Sequence, residues 1–177
     1  GILIVKTGCL PTVIVNISKR CFDHAQKKLR IILNDNNIKH VFVSMNWYDF
    51  NYTDLEGNLV EYTKLVDAIS DLANHLAYKG KTLSVLSPIQ TPSQELANEL
   101  PRMLKFKSIP TEEIYKKTSI DRKEYDDKFN KINMKLKKIF GKDFIPVYKD
   151  LCDDNYCYFA RNDIMYFADS NHLSIRG

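Results

Sequence analysis

Asp169 and His172 stand three residues apart in the run Tyr166-Phe167-Ala168-Asp169-Ser170-Asn171-His172-Leu173-Ser174, just after an apolar, strand-like stretch. A carboxylate beside an imidazole can hold the ring in one tautomer. The ring's other nitrogen can then take the proton of a serine hydroxyl, which is the acid–base arm of a serine hydrolase triad. Histidine suits the task because it accepts and returns a proton near neutral pH. The spacing alone is common, and a loop aspartate near a surface histidine has the same letters, so the remaining sequence must supply the context.

The elements that would position this pair alternate between strands and helices. Ile2–Val5 is a short apolar run. Lys19–Asn34 carries Phe22, Ala25, Leu29, Ile32 and Leu33 at helical spacing, with Ser18 placed as its N-cap. His40–Met45 is rich in β-branched and aromatic residues and leads into Trp47, Tyr48 and Phe50. Tyr62–Tyr78 predicts an amphipathic helix with Leu65, Ile69, Leu72 and Leu76 on one stripe, closed by Gly80. Thr82–Leu86 predicts the next strand, ended by Ser87-Pro88.

Between residues 89 and 120, Pro92, Pro101 and Pro110 should break any long helix, leaving room for a short one between the first two. Arg122–Phe140 predicts a strong helix that buries Tyr125, Phe129, Ile132, Leu136 and Ile139 and ends at Gly141; Phe144–Tyr148 predicts a strand. Apolar strands alternating with helices imply an α/β fold in which a parallel sheet is covered on both faces. Loops that do chemistry then gather at the strand C-terminal ends. Lys6-Thr7-Gly8-Cys9, Asn46-Trp47 and Ser87-Pro88 fall at such ends. There is no internal repeat or linker, so residues 1–177 read as one domain.

Composition narrows the classes further. A net charge of +4, with lysines spread along helical stretches rather than gathered into an arm, argues against nucleic-acid binding. No apolar run reaches the ~20 residues that span a bilayer, and the N-terminus lacks a charged-then-apolar signal pattern. Cys9 and Cys21 bracket an irregular segment, and Cys152 and Cys157 bracket a polar turn. Four cysteines allow three pairings. Local disulfides are the simplest geometry and would indicate an oxidising compartment; reduced thiols and a zinc site are the other readings.

With these features in order, the chain resembles the SGNH-type (GDSL-like) esterase/acyltransferase domain, in the version fused behind membrane-embedded acyltransferase-three domains that O-acylate bacterial surface glycans. Gly8-Cys9-Leu10-Pro11 followed by Cys21 is similar to that family's G-C-x-P…C segment. The strand running into Trp47 and Tyr48, the Ser87-Pro88 strand end, and the late helix carrying Asn133 are similar in turn. So is the closing block from Leu151-Cys152 through Cys157, Met165-Tyr166 and Asp169–Ser174. The resemblance covers essentially the whole chain. It implies a three-layer, flavodoxin-like sandwich with a parallel sheet.

One departure stands out: no Gly-Asp-Ser turn occurs anywhere in the sequence. Aligned on the Gly8–Pro11 segment, Ile2–Val5 is the family's second strand. The first strand and nucleophile turn would then precede Gly1, and a final helix would follow Gly177, so the chain is expected to be a domain fragment truncated at both ends. The competing alignment makes Ile2–Val5 the first strand and Lys6-Thr7-Gly8-Cys9 a degenerate nucleophile turn, and the protein a pseudoenzyme or one with Cys9 as nucleophile.

The resemblance implies His172 as general base and Asp169 as its orienting acid. Gly8 and Asn46 are the candidate oxyanion donors, because a tetrahedral intermediate needs donors placed in advance; Gly8 otherwise reads as a turn glycine. Trp47 is a pocket wall or a core residue. Implied partners are an acyl donor, a glycan acceptor and an N-terminal transmembrane acyltransferase domain, with no metal or dissociable cofactor. The implied location is the periplasmic or extracellular face, anchored to the inner membrane. A second reading is a non-catalytic glycan-binding module that stacks sugars on Trp47, Tyr48, Phe50 and Tyr52. His24, His40 and His75 are expected to be structural or exposed, Ser87 not to be a nucleophile, and Asp153 and Asp154 to be solvated loop acids.

Overall fold

Ser18 starts the first helix as its type predicts: its hydroxyl accepts the Cys21 amide, satisfying one of the helix's unpaired N-terminal donors. In the computed structural model, the residues described are 9–45, 47, 52–106, 108–170 and 172–175. The elements in chain order are α1 (Lys19–Asn34), β1 (His40–Val43), α2 (Tyr62–Tyr78), β2 (Thr82–Leu86), α3 (Gln94–Phe106) and α4 (Thr111–Thr118). They continue with β3 (Ile120–Asp121), α5 (Arg122–Phe140), a 3-10 turn at Gly141–Asp143, β4 (Phe144–Ile145), α6 (Tyr148–Leu151), β5 (Tyr156–Cys157), β6 (Ala160–Arg161) and β7 (Ile164–Met165). They fall into two compact units, Gly1–Pro88 with Lys131–Ile145, and Ile89–Asn130 with Pro146–Gly177.

The first unit holds a parallel sheet in the order β1-β2-β4. Its register places Val43 beside Val85 and Val85 beside Phe144, all three buried. Alternation puts His40, Phe42, Thr82 and Ser84 on the opposite face. There the His40 ring lies edge-on to Phe42 and pairs through Nδ1 with Thr82 and through Nε2 with Ser84 at 3.0 Å. His40 is therefore structural, as expected. Helix α2 packs on β2 through its fully buried stripe of Leu65, Ile69 and Leu76. Gly80, at φ +67, ends it by donating to the Ala77 carbonyl, in a conformation that costs glycine little. Lys81 is a buried cation whose ammonium donates to the Asp35 and Ile38 carbonyls at 2.7 and 2.6 Å, just beyond the C-terminus of α1. Positive charge is stabilised there by the helix dipole.

The segment before α1 is organised by Asn16, which has no exposed surface. Its carboxamide accepts from the Leu10 and Ile17 amides and donates to the Leu10 and Thr12 carbonyls, while its backbone pairs in both directions with Thr53. The Cys9–Cys21 disulfide closes the same segment onto α1. Both disulfides follow the local pairing, with Cys152 bonded to Cys157, and no free cysteine remains.

The second unit is built on Leu100, Ile114, Tyr115, Leu151, Tyr158, Phe159, Ala160 and Phe167. Strands β3 and β5 pair antiparallel, and β6 and β7 form a hairpin. Its turn residues, Asn162 and Asp163, both have positive φ, as a two-residue hairpin turn matching strand twist requires. The buried Tyr115 hydroxyl accepts from the Asp163 amide at 2.8 Å and so ties this turn to α4.

Four expectations are corrected. Pro101 lies inside α3 rather than ending it. The carbonyl of Ala97 loses its amide partner there, but Leu96, Leu100, Met103 and Leu104 all pack on the core cluster and hold the helix through. The strand expected over Phe144–Tyr148 stops at Ile145, because Pro146 supplies no ladder donor; Tyr148 starts α6. Ile139 is 41% exposed. Asp153 is the hub of a hydrogen-bond network rather than a merely solvated acid. The strand expected at Ile2–Val5 lies outside the described residues.

Candidate active site

The Asp169–His172 turn grows directly out of the β6–β7 hairpin. Tyr166 donates its amide to Phe159, and Phe167, 3% exposed, packs edge-on against the Phe159 ring with centroids 5.7 Å apart. This buried ring fixes where the chain leaves the core. Beyond it, Phe167 and Leu173 bridge antiparallel, and the Ala168 amide donates to the His172 carbonyl at 2.8 Å. The Ser174 amide returns to the Tyr166 carbonyl at 2.8 Å. The result is a closed loop with Asp169 and His172 at its rim.

Within the loop Asp169 does two things. Its Oδ1 accepts the His172 amide at 2.8 Å, a turn cap, and its carboxylate faces the His172 ring with Nδ1 at 2.9 Å from Oδ2 and 3.0 Å from Oδ1. An ionised carboxylate only accepts hydrogen bonds, so Nδ1 carries the hydrogen. The neutral ring then has its lone pair on Nε2. The His172 side chain is 69% exposed, so that nitrogen is open to a reacting group. Orientation, tautomer and accessibility would allow the ring to take up a proton from a reacting group.

Gln94, at the start of α3, is a contributor that sequence reasoning missed. The Ser170 hydroxyl donates to Gln94 Oε1 at 2.8 Å, tying the loop to that helix start, where Ser93 caps the helix by accepting the Leu96 amide. No spacing rule links positions 94 and 170.

The other candidates are placed differently. Gly8 and Asn46 lie outside the described residues. Trp47 belongs to the first unit and is 2% exposed, as is Tyr52 at 3%. Their standing at the surface for sugar stacking is therefore corrected: large rings gain most when removed from water, and the turn that follows Tyr52 folds back through a bond from the Val60 amide to its carbonyl. Tyr48 and Phe50 lie outside the described residues. Ser87 is a buried strand-end residue donating its amide to Ile145. His75 is exposed on α2 beside Asp71. Among the described residues no group of histidine, cysteine, aspartate or glutamate is arranged to hold a metal.

Around the Cys152–Cys157 loop, Asp153 and Tyr158 depart from their ordinary pKa values. The Asn155 and Tyr156 amides, each 2.9 Å from Asp153 Oδ1, hold its carboxyl below the ordinary carboxylate range, helped by the Tyr158 hydroxyl and by Arg161. Burial, reinforced by Asp153, pushes the Tyr158 hydroxyl up to about 12. Both shifts convert to pH dependence. A depressed Asp153 contributes stability that is present above about pH 4 and lost as pH falls through its lower folded value. A raised Tyr158 contributes stability that is present below about pH 10 and lost as pH rises through its folded value of about 12. Urea unfolding followed across pH should show both limbs. Asp153→Asn should flatten the acid limb and Tyr158→Phe the alkaline one.

The parallel sheet of the first unit and the helices packed on it define an α/β domain, and the second unit carries the exposed, carboxylate-backed histidine turn. A family model described as the SGNH domain fused to AT3 domains matches residues 1–177, and the chain belongs to that family. No curated protein and no solved structure matches it. The fusion associates the module with an acyltransferase domain. No helix among the described residues is long and apolar enough to cross a membrane, and the two disulfides fit an oxidising compartment.

Proposed function

We propose that this is the extracytoplasmic domain of an O-acyltransferase or esterase acting on bacterial cell-surface polysaccharide through a Ser-His-Asp acyl-enzyme. The observation that carries the reading is the Asp169 carboxylate on His172 Nδ1, which leaves Nε2 as the base. A serine outside residues 1–177 would attack the acyl carbonyl as His172 Nε2 takes its proton. The backbone N–H of Gly8 and the Asn46 side chain would hold the developing oxyanion, while Trp47, at 2% exposure, is the core residue of its two readings. The proton passes to the departing alkoxide, leaving the acyl group on serine. A sugar hydroxyl, or water in an esterase, then attacks the ester while His172 again accepts the proton and returns it to the serine oxygen as the acyl–serine bond breaks. The acyl group would be delivered by the AT3 domain. The family match over residues 1–177 supports treating them as one domain, anchored at the periplasmic or extracellular face through its fusion partner.

The alternative, a non-catalytic glycan-binding module, loses support because Trp47 and Tyr52 are buried. Two measurements test the proposal. The 177-residue chain should hydrolyse p-nitrophenyl acetate no faster than its His172→Ala variant; turnover above that control would refute an external nucleophile. The coding sequence upstream of Gly1 should specify a Gly-Asp-Ser-type turn, and a continuous reading frame without one would favour the accessory module.

A further inference from the structure

The His172 side chain, at 69% exposure, has little packing to hold it, so the aim of Nε2 is set by the backbone of its turn and by Asp169. The amides of Ala168, His172 and Ser174 close that turn on its own stretch of chain. The Ser170 hydroxyl, between the two members of the pair, reaches instead across 76 positions to Gln94 Oε1 at 2.8 Å. Gln94 is well placed to receive it. Its backbone is fixed by Ser93, whose hydroxyl accepts the Leu96 amide and whose carbonyl accepts the Ala97 amide. Its carboxamide is oriented too: Nε2 donates to Asn98 Oδ1 one helical turn on, at 3.4 Å, which turns Oε1 to Ser170. Behind it Leu96, Leu100, Met103 and Leu104 seat α3 on the core cluster that also contains Phe167, three residues before Ser170. Both ends of the bond therefore stand on one core, within one unit.

We propose that Gln94 is a positioning residue for His172: by holding Ser170 it fixes the turn in which the Asp169 carboxylate meets Nδ1. The bond lies at the surface, so it adds little to global stability. Its value is in aim, because a base displaced by a fraction of its hydrogen-bond reach loses much of its rate. The consequence for rate rests on the acid–base role proposed above for the pair. The geometry itself can be read without any reaction.

The test is long-range nitrogen–proton NMR of His172 in the 177-residue chain at about pH 8.5, where imidazole is neutral. The parent should carry its hydrogen on Nδ1. Gln94→Met keeps the side chain's length but not its acceptor, and it should lower the ratio of Nδ1–H to Nε2–H about fivefold, the scale of one lost hydrogen bond. Ser170→Ala should lower the ratio at least as far, and the double variant no further than Ser170→Ala alone. Gln94→Glu, which again offers an acceptor to the Ser170 hydroxyl, should restore the parental ratio. Circular dichroism and the urea midpoint should match the parent throughout, which separates lost aim from lost fold. In a chain extended to carry the proposed serine, Gln94→Met should lower kcat about tenfold and leave KM unchanged. An unchanged ratio in Gln94→Met, or a fall that Gln94→Glu does not reverse, overturns the proposal. A fallen ratio beside an Asp169→Asn variant that keeps its activity would support the tether and refute only the acyl-enzyme reading.

Discussion

Replacing Asp169 with asparagine, in a chain extended to carry the proposed serine nucleophile, is expected to lower kcat by about 10⁴-fold, the scale seen when a triad loses its acid without losing its geometry. Asparagine is the informative substitution because Asp169 has two jobs. Its Oδ1 caps the turn by accepting the His172 amide, and its carboxylate faces Nδ1. Asparagine caps turns about as well as aspartate, so the loop should persist. Its NH₂ group, however, can donate to Nδ1, which favours the tautomer with hydrogen on Nε2 and leaves no lone pair to receive the serine proton. His172→Ala should be at least as damaging. The double variant should be no worse than His172→Ala alone, because the two residues act as one unit. Long-range nitrogen–proton NMR on the 177-residue chain should show Nδ1–H in the parent and Nε2–H in Asp169→Asn. A variant that retains activity within about tenfold of the parent would remove this pair from the chemistry.

The largest expected loss of stability is at Asn16. Asn16→Ala should destabilise the chain by about 3–5 kcal/mol, because it strands the Leu10 amide and the Leu10 and Thr12 carbonyls in the interior and the Ile17 amide at its edge, each buried group worth about 1–3 kcal/mol before relaxation. Every hydrogen-bonding direction of the carboxamide is used: Leu10 N and Ile17 N donate to Oδ1, and Nδ2 donates to Leu10 O and Thr12 O, all at 2.9–3.2 Å. Asn16→Asp, nearly identical in shape, should be no milder. It cannot donate, and it sets a buried negative charge against two carbonyl oxygens. Since domains are typically stable by about 5–15 kcal/mol, either change uses much of the total. Urea unfolding under non-reducing conditions, with the Cys9–Cys21 bond kept in both proteins, measures it.

What the sequence revealed tracks how far each signal extends. Helices α1, α2 and α5 and strand β2 were legible to the residue because each repeats its apolar spacing or its β-branched run over several positions and ends on a cap, a glycine or a proline. Strands β5, β6 and β7 have two residues each, too few for any alternation to show. Pro101 misled because a local rule met a stronger distant cause: four side chains of α3 packed on residues later in the chain. The Asp169–His172 pairing was readable because both partners sit in one short loop. The Ser170–Gln94 bond and the network around Asp153 were not, since one spans 76 positions and the other depends on how a loop folds back on Tyr158 and Arg161.

Each disulfide closes within its own neighbourhood, at separations of 12 and 5 residues, while the two cysteine pairs lie more than a hundred residues apart. A crossed bridge would have to close a loop about ten times longer than the Cys9–Cys21 one, costing about 2 kcal/mol more in chain entropy. Oxidation of a nascent polypeptide emerging amino-end first is therefore biased toward the native partners from the outset. The first bridge can form while the Asp169–His172 turn is still being delivered, so maturation of this domain should depend little on enzymes that reshuffle mispaired thiols.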